Sequence, residues 1–435
     1  MSSTWVAMHG VGSRQDLPLP FELVVAGGVL TLLITFVVAL RAWHQPKWAE
    51  PAGRPLPRLT AILDHPALRW TARLLVLAVV AVAILALVAG PDRVSNPFPG
   101  FLFVWVWVGL VPVSLLAGLA WRDVSAVRTL VFWRGAHAPG QHRPLSVGLY
   151  PAAAALFAFT WLELVQPDRA TTAVLKWWAL AFGLWALGGA VVWGGRWLAS
   201  AEPFEVFGST VARLSPWQRR DGVLEWTNPL RQVSSWSAPR GLWAVGAVLL
   251  GGTAFDSLSG GVWWVRSTQS SAQPPWLWGT LGLVGCILVV TLTFGAAVLW
   301  LRRFSDDNSP SRGQVMDSMA RSLVPIVAAY ALAHYATLLV IEGQRVAINL
   351  SDPLGRHQNW FGTAELGVNG AIFDYATAVS WAQVAFIVGG HVLGVAAAHD
   401  IALRLVPRAR QLAAQLPLLV VMVGYTCAGL LLLFA

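Results

Sequence analysis

Ten separate stretches of this sequence are apolar over about 20 residues, the length at which an α-helix crosses the roughly 30 Å hydrocarbon core of a membrane. The stretches are continuously apolar rather than alternating, which excludes a transmembrane β-barrel. Only 12% of the 435 residues are charged, whereas about a quarter of a soluble chain is charged. We therefore predict an all-α integral membrane protein, a bundle of about ten transmembrane helices at residues 20–42, 73–90, 99–121, 147–166, 174–199, 241–260, 276–301, 320–342, 376–398 and 416–434.

The positively charged residues fall unevenly on the segments between these stretches. With the N-terminus placed outside, the inner segments carry 23 of the 30 Lys and Arg residues and the outer segments carry 7. Cytoplasmic loops are enriched in Lys and Arg, so both termini are predicted to lie outside a bacterial plasma membrane. The first 19 residues lack the apolar core of a signal peptide. The formal charge of +9 is interpreted as orientation and attraction to membrane lipid, not as nucleic-acid binding.

The chain is predicted to be a single polytopic domain, 1–435, with three longer segments outside the helices. Residues 1–19 are an outer N-terminal segment. Residues 200–240 mix charged and aromatic side chains and are predicted to lie along the inner membrane surface. Residues 343–375 are rich in Gly, Asn and Asp, as turns are, and are predicted to form an outer lid or rim. The sequence contains no nucleotide-binding motif, so ATP-driven transport by this chain alone is not expected.

Three ionisable residues fall in the outer halves of three predicted helices. Glu163, Asp256 and His334 lie about 10, 8 and 3 Å from the helix midpoints, at a rise of about 1.5 Å per residue. An ionisable group in a bilayer costs a few kcal/mol and normally has a partner. We predict one outward-opening polar site in which these residues bind a divalent metal or act as a catalytic base; they would also suit a proton relay. The alternatives are that the carboxylates snorkel or cap helix ends, and that His334 makes only an interhelical hydrogen bond near Tyr330.

His391 lies on a face of small residues in which Gly390 and Gly394 have GxxxG spacing. Such a face suits close helix packing, so His391 is predicted to hydrogen-bond across a tight helix crossing. Two alternatives use its ring as a ligand, either in the metal site or, together with His334, as an axial pair for haem b. Five Met and two Cys residues give little support to copper handling.

Several stretches together resemble a known family. They are HGVGSRQDLPLP (9–20), FTWLELVQPD (159–168), RDGVLEWTNPL (220–230), TAFDSLSGGVWW (253–264), AYALAHYATLLVIEGQ (329–344), SDPLG (351–355) and GGHVLGVAAAHDIAL (389–403). The chain in this respect is similar to the bacterial, often actinobacterial, polytopic membrane proteins commonly named fenitrothion hydrolases. The resemblance implies hydrolysis of an organophosphorus triester by a membrane-bound enzyme. The matching stretches contain Glu163, Asp256, His334 and His391, together with three residues predicted to close the outer rim of the site, which are His9, Asp16 and Asp352.

Three classes of function follow from these residues. The first is a hydrolase, in which a metal-activated water attacks a phosphorus or carbonyl centre. The second is a small-solute transporter or channel, for which ten helices, polar residues near the mid-membrane and a long outer loop are suitable. The third is a membrane subunit that handles haem or copper, which the two mid-membrane histidines favour.

Overall fold

A computed structural model of the chain describes residues 17, 19–50, 52–132, 146–305 and 310–434. Within these residues, nine helical stretches are long and apolar enough to cross a membrane, and the fourth predicted block appears as the shorter apolar helix Tyr150–Leu164. The prediction of an all-α, multi-pass membrane protein is confirmed. The nine stretches are Phe21–Ala42, Pro66–Ala89, Pro97–Val131, Thr172–Trp193, Leu242–Ser259, Pro275–Arg302, Arg312–Asn349, Ala371–Ala402 and Arg408–Leu433.

The longer stretches are composed of several consecutive elements, some of them π-helical (Phe101–Val108 and Leu184–Gly188) or short 3₁₀ turns. The α-helices in chain order are α1 (Phe21–Ala42), α2 (Pro57–Leu63), α3 (Pro66–Ala89), α4 (Pro97–Gly100), α5 (Leu110–Ala117), α6 (Ala126–Phe132), α7 (Tyr150–Leu164), α8 (Thr172–Gly183), α9 (Gly189–Trp193), α10 (Gly195–Ala201), α11 (Pro203–Val211), α12 (Pro229–Ser235), α13 (Leu242–Ser259), α14 (Val262–Gln269), α15 (Pro275–Arg302), α16 (Arg312–Ala320), α17 (Val324–Asn349), α18 (Ala376–Ala402) and α19 (Gln411–Leu433).

A small antiparallel sheet marks one side of the bundle, which we call the sheet side. Its strands are β1 (Gly53–Pro55), β2 (Trp217–Arg220) and β3 (Val223–Thr227), with β3 in the centre. The start of α17 is tied to this side, because the guanidinium of Arg321 donates to the carbonyl of Ser234 at 2.7 Å. The other end of α17 leads into residues 350–370, which define the loop side.

Helices α17 and α18 pack closely through the predicted small residues. A Cβ atom added at Gly390 would lie 2.4 Å from the Cβ of Ala329, and one at Gly394 would lie 2.9 Å from the carbonyl oxygen of Ser322. Carbon atoms in ordinary contact are about 3.5–4.0 Å apart, so only glycine fits at Gly390. The close helix contact predicted from the GxxxG spacing is confirmed.

Helices α10 and α11 form a hairpin that turns back into the bundle from the sheet side. Gly194, with a φ of 64°, reverses the chain after α9. The indole of Trp197 then donates to the carbonyl of Trp185 at 2.8 Å, so α10 runs back along the helix before it. The ring of Phe204 packs 5.5 Å from that of Phe182, which is near the middle of the preceding 22-residue stretch. The tip of the hairpin therefore packs beside the middle of the apolar stretch Thr172–Trp193.

Glu202 occupies this tip. Its carboxylate accepts hydrogen bonds from the backbone N–H groups of Phe204 at 3.1 Å and Glu205 at 2.5 Å, and it thereby caps α11, whose first N–H groups have no helical acceptor. Almost all of α11 is buried. Residues 203–211 are thus packed within the protein, and the prediction that 200–240 lie along the inner membrane surface stays a prediction. The sequence did not indicate this packing because the segment is shorter than a membrane span and carries two acidic residues.

The loop side also differs from the predicted boundaries. Helix α17 ends at Asn349 and not at residue 342, and the chain after it folds back on itself. The N–H of Trp360 donates to the carbonyl of Ser351 at 2.9 Å, and the hydroxyls of Ser351 and Thr363 are 2.6 Å apart. A Cβ at Gly355 would meet the ring of Pro91 at 2.7 Å, so this loop rests beside the turn that follows α3.

Candidate acid–base site

Two of the predicted site residues meet directly between α13 and α17. Oδ2 of Asp256, in the last turn of α13, lies 3.0 Å from Nε2 of His334 and accepts a hydrogen bond from the hydroxyl of Tyr335 at 2.6 Å. The three residues are only 3–6% exposed. The sequence predicted Asp256 and His334 as members of one site, whereas Tyr335 was missed, although it is the next residue after His334.

The other nitrogen of His334 faces hydroxyl groups. Oγ of Ser257 lies 3.4 Å from Nδ1 of His334 and 3.1 Å from the hydroxyl oxygen of Tyr330. Tyr330 lies one turn before His334 on α17, and the two rings are nearly parallel, with an interplanar angle of 18°. The contacts thus form a continuous polar chain from Asp256 through His334 and Ser257 to Tyr330.

This chain can hold a proton in more than one place. If Nε2 of His334 carries the hydrogen, it donates to Asp256, and the lone pair of Nδ1 accepts from Ser257. If both ring nitrogens are protonated, His334 and Asp256 form an ion pair. Each proton position in the chain has an acceptor beside it. The arrangement is therefore suited to binding and relaying a proton.

Glu163, in the last turn of α7, adds a second carboxylate to this region. Its charge interacts with those of Asp256 and Arg169, and it also lies within electrostatic range of Tyr335. Of the three residues predicted to share a site, Asp256 and His334 are in direct contact, whereas Glu163 is related to Asp256 only through electrostatics. Arg169, in the turn after α7, supplies a positive charge on the loop side of the cluster.

The geometry gives no support to the predicted metal site. Among the described residues, no three His, Cys, Asp or Glu side chains are grouped so that they could hold a metal ion. The predicted ligands were Glu163, Asp256, His334 and His391. The haem pair gains no support either, because both ring nitrogens of His334 already face partners in the cluster.

His391 lies on α18 beside a small cavity. Its Nδ1 is 2.8 Å from the carbonyl of Ile387 one turn earlier, so Nδ1 carries a hydrogen and Nε2 presents a lone pair in the neutral ring. Among the described residues, that buried Nε2 has no hydrogen-bond partner. His391 and Tyr330 both line a cavity of about 70 Å³, whose other walls are mainly aliphatic. The predicted hydrogen bond across the helix crossing is therefore replaced by one within α18.

The predicted rim residues are only partly visible. His9 and Asp16 lie outside the described residues. Asp352 lies in the loop-side segment, where its two carboxylate oxygens each accept a backbone N–H at 2.9 Å, from Arg356 and His357. Desolvation acts to raise the pKa of Asp352, but backbone N–H donors at residues 356–358 outweigh it, and the pKa lies below its ordinary value. This carboxylate therefore shapes the loop.

Comparison with known proteins adds nothing to these observations, since no family model, curated protein or solved structure matches the chain. What the fold and the cluster define is a multi-pass α-helical membrane protein with a buried carboxylate–imidazole pair.

Proposed function

We propose that the protein is a proton-coupled membrane protein in which the Asp256–His334 pair takes up and releases a proton. The observation that carries this proposal is the 3.0 Å contact between the two side chains within an apolar bundle. Ionisable residues inside membrane helices are costly, face the bundle interior and mark proton relays and transport paths. A carboxylate and an imidazole that share a proton reduce this cost, and the electrostatics of the site change when a further proton arrives.

The hydrogen-bond chain gives the proton a route on one side of this pair, and Glu163 adds an ionisable group on the other. Glu163 lies towards the loop side, where α7 ends, and its charge interacts with that of Asp256. Ser257 and Tyr330 continue the chain beyond His334, and Tyr330 borders the cavity that also contains the unpartnered Nε2 of His391. Hydroxyl groups can donate and accept at once, so they extend the path without adding buried charge.

Infrared difference spectra of the purified protein between about pH 8 and about pH 5 test this proposal across the range in which histidine titrates. We expect a band from a buried carboxyl group that is absent in Asp256→Asn and shifted in Tyr335→Phe, because Tyr335 donates to the same carboxylate. The control is Asp64→Asn, which removes a solvent-accessible carboxylate on the sheet side. Identical difference spectra for Asp256→Asn and the unmodified protein would refute the proposal.

The orientation is part of the same proposal: the loop side and both termini face outside a bacterial plasma membrane, which the chain crosses ten times. The support is the concentration of 23 Lys and Arg residues on the opposite segments. Ser270→Cys and Asn359→Cys, both at exposed loop-side positions, should react with a membrane-impermeant thiol reagent in intact cells. Ala52→Cys, beside β1 on the sheet side, should react only after the membrane is opened. The reverse labelling pattern would invert the topology.

A second function, ester hydrolysis, is favoured by the position of His334 between Asp256 and Ser257. A serine hydrolase places a serine nucleophile, a histidine base and a carboxylate in contact, as Ser257, His334 and Asp256 are here. The sequence resemblance implies a triester substrate. In this scheme Oγ of Ser257 forms a bond to phosphorus while His334 takes the hydroxyl proton. His334 then returns that proton to the departing alkoxide or phenoxide, and water hydrolyses the phosphorylated serine.

A fluorophosphonate probe separates this second function from the first. Hydrolase chemistry requires that the probe label Ser257 and that Ser257→Ala lose both labelling and triester hydrolysis. The control is Ser267→Ala on α14, where the hydroxyl is exposed and donates to a backbone carbonyl of its own helix. An unlabelled Ser257 with an intact Asp256 infrared band would reject hydrolysis and leave proton coupling in place.

A further inference from the structure

A group of charged residues on the sheet side is independent of the acid–base site. The carboxylate of Glu205 on α11 accepts from Nε and Nη2 of Arg128 at 2.6 and 2.5 Å, and from Nη2 of Arg122 at 2.7 Å. The Glu205 side chain is 3% exposed, whereas those of the two arginines are 26% and 21% exposed. The single negative charge of Glu205 thus neutralises only one of the two positive charges of Arg122 and Arg128.

Arg213, directly after α11, adds a third positive charge. Its guanidinium lies 4.7 Å over the ring of Trp236. Burial, and then the charge of Arg122, lower the pKa of Arg213 to about 10, so this side chain is still positive at neutral pH. Among the described residues, the buried Nε atoms of Arg122 and Arg213 have no hydrogen-bond partner. The group formed by these arginines and Glu205, which we call the arginine cluster, has a surplus of two positive charges and unused donors.

The acidic residue next to the cluster, Asp123, is already paired with another arginine, Arg69, at 3.5 Å. Residues 133–145, which follow α6, contain arginine and histidine but no aspartate or glutamate. Partly buried arginines with donors to spare are typical sites for phosphate groups, because the planar guanidinium matches two oxygens at once. The excess of positive charge therefore suits the binding of an anion from outside the chain.

Two exposed leucines close in sequence to Arg122 and Arg128 indicate which anion fits. Leu116 on α5 is 74% exposed and Leu130 on α6 is 56% exposed, and both lie on the Pro97–Val131 stretch, which is apolar enough to cross the membrane. Side chains exposed on such a helix face acyl chains. We infer that the arginine cluster of Arg122, Arg128 and Arg213 binds the phosphate of an anionic phospholipid, whose acyl chains cover Leu116 and Leu130. Basic pockets between membrane helices on the cytoplasmic side bind such headgroups.

Native mass spectrometry of the purified protein tests this inference with phosphatidylglycerol and phosphatidylcholine as probes. We expect selective retention of phosphatidylglycerol and about fivefold weaker retention in Arg213→Gln, the factor for losing about one cation–lipid interaction. Arg213→Lys keeps the charge and should lie between the two. The matched control is Arg58→Gln, which removes the same charge from an exposed position on α2 and should leave retention unchanged.

The source of the phosphate and the stability of the variants are resolved within the same experiment. Stabilisation by inorganic phosphate alone, with no preference between the two lipids, would overturn the lipid assignment and identify a free-anion site. If Arg213→Gln does not fold, the comparison of the two lipids on the unmodified protein still decides the inference. Equal retention of both lipids with no phosphate effect would refute it. None of these outcomes depends on the infrared band of Asp256.

Discussion

Replacing Gly390 by alanine adds one methyl group at the closest approach of α17 and α18. The added Cβ would lie 2.4 Å from the Cβ of Ala329 and 2.9 Å from the carbonyl oxygen of Pro325. The first distance falls short of an ordinary carbon contact by more than about 1 Å. Both opposing atoms are fixed to the backbone, so no side chain can rotate away. The two helices must therefore move apart, and overpacking of this kind costs about 1–3 kcal/mol.

The adjacent residue provides a matched control. A Cβ at Gly389 meets no atom within 4 Å, so Gly389→Ala keeps only the helix-propensity gain, which is at most about 1 kcal/mol. Both variants receive that gain, and it cancels when they are compared. We therefore expect Gly390→Ala to be less stable than Gly389→Ala by about 1–3 kcal/mol.

Reversible unfolding in mixed micelles, followed by the fluorescence of the 25 tryptophans, measures this difference. Separation of α17 from α18 should also disturb His391, which follows Gly390 directly, and so change the cavity it shares with Tyr330. If the two alanine variants unfold within about 0.5 kcal/mol of each other, the size of a routine surface effect, the close helix crossing does not exist as described.

Three further predictions concern polar contacts. Tyr335→Phe removes a hydrogen-bond donor to the carboxylate of Asp256 and should lower the free energy of unfolding by about 1.5–3 kcal/mol in the same assay. The control Tyr425→Phe, whose hydroxyl has neutral partners, should cost about 1 kcal/mol. Equal costs would contradict an ionised Asp256. Glu205→Gln leaves Arg122 and Arg128 without their carboxylate partner and should lower the free energy of unfolding by about 3 kcal/mol. A melting curve identical to that of the unmodified protein would rule this out. The hydrogen bond from Arg219 is the main cause that lowers the pKa of Asp64. The contribution of the Asp64–Arg219 pair to the free energy of unfolding, below about 1 kcal/mol, should be complete above about pH 4 and be lost in more acidic solution. Asp64→Asn should therefore differ from the unmodified protein in its free energy of unfolding only above that pH.

The parts of the site that could be predicted from the sequence are the ionisable ones. Asp256 and His334 stand out because charge is rare in apolar helices, and the cost of burying each alone indicates that they meet. Tyr335 and Ser257 carry no such signal, since neutral hydroxyls are common in membrane helices and reveal their role only through position. The unpartnered Nε2 of His391 was also beyond prediction, because its tautomer depends on the carbonyl of Ile387 in its own helix.

In the fold, as in the site, composition predicted some features and others depended on how the helices pack together. Blocks of about 20 apolar residues predicted the long helices well, because the membrane fixes their length. The hairpin of α10 and α11 was missed because each helix is too short to span, and because Glu202 is hidden from lipid by the protein around it. Non-spanning backbone at membrane depth depends on neighbouring helices for its shielding, and a sequence window does not contain those neighbours.

That dependence has a consequence for how the chain is assembled. The hairpin tip, with Glu202 and the buried face of α11, is shielded by helices that include α17, and α17 is synthesised more than a hundred residues later. The packing of the hairpin begins against α5 and α7, which precede it in the chain, and is completed only when α17 arrives. This membrane protein is thus completed from its C-terminal half, with part of an early segment covered last.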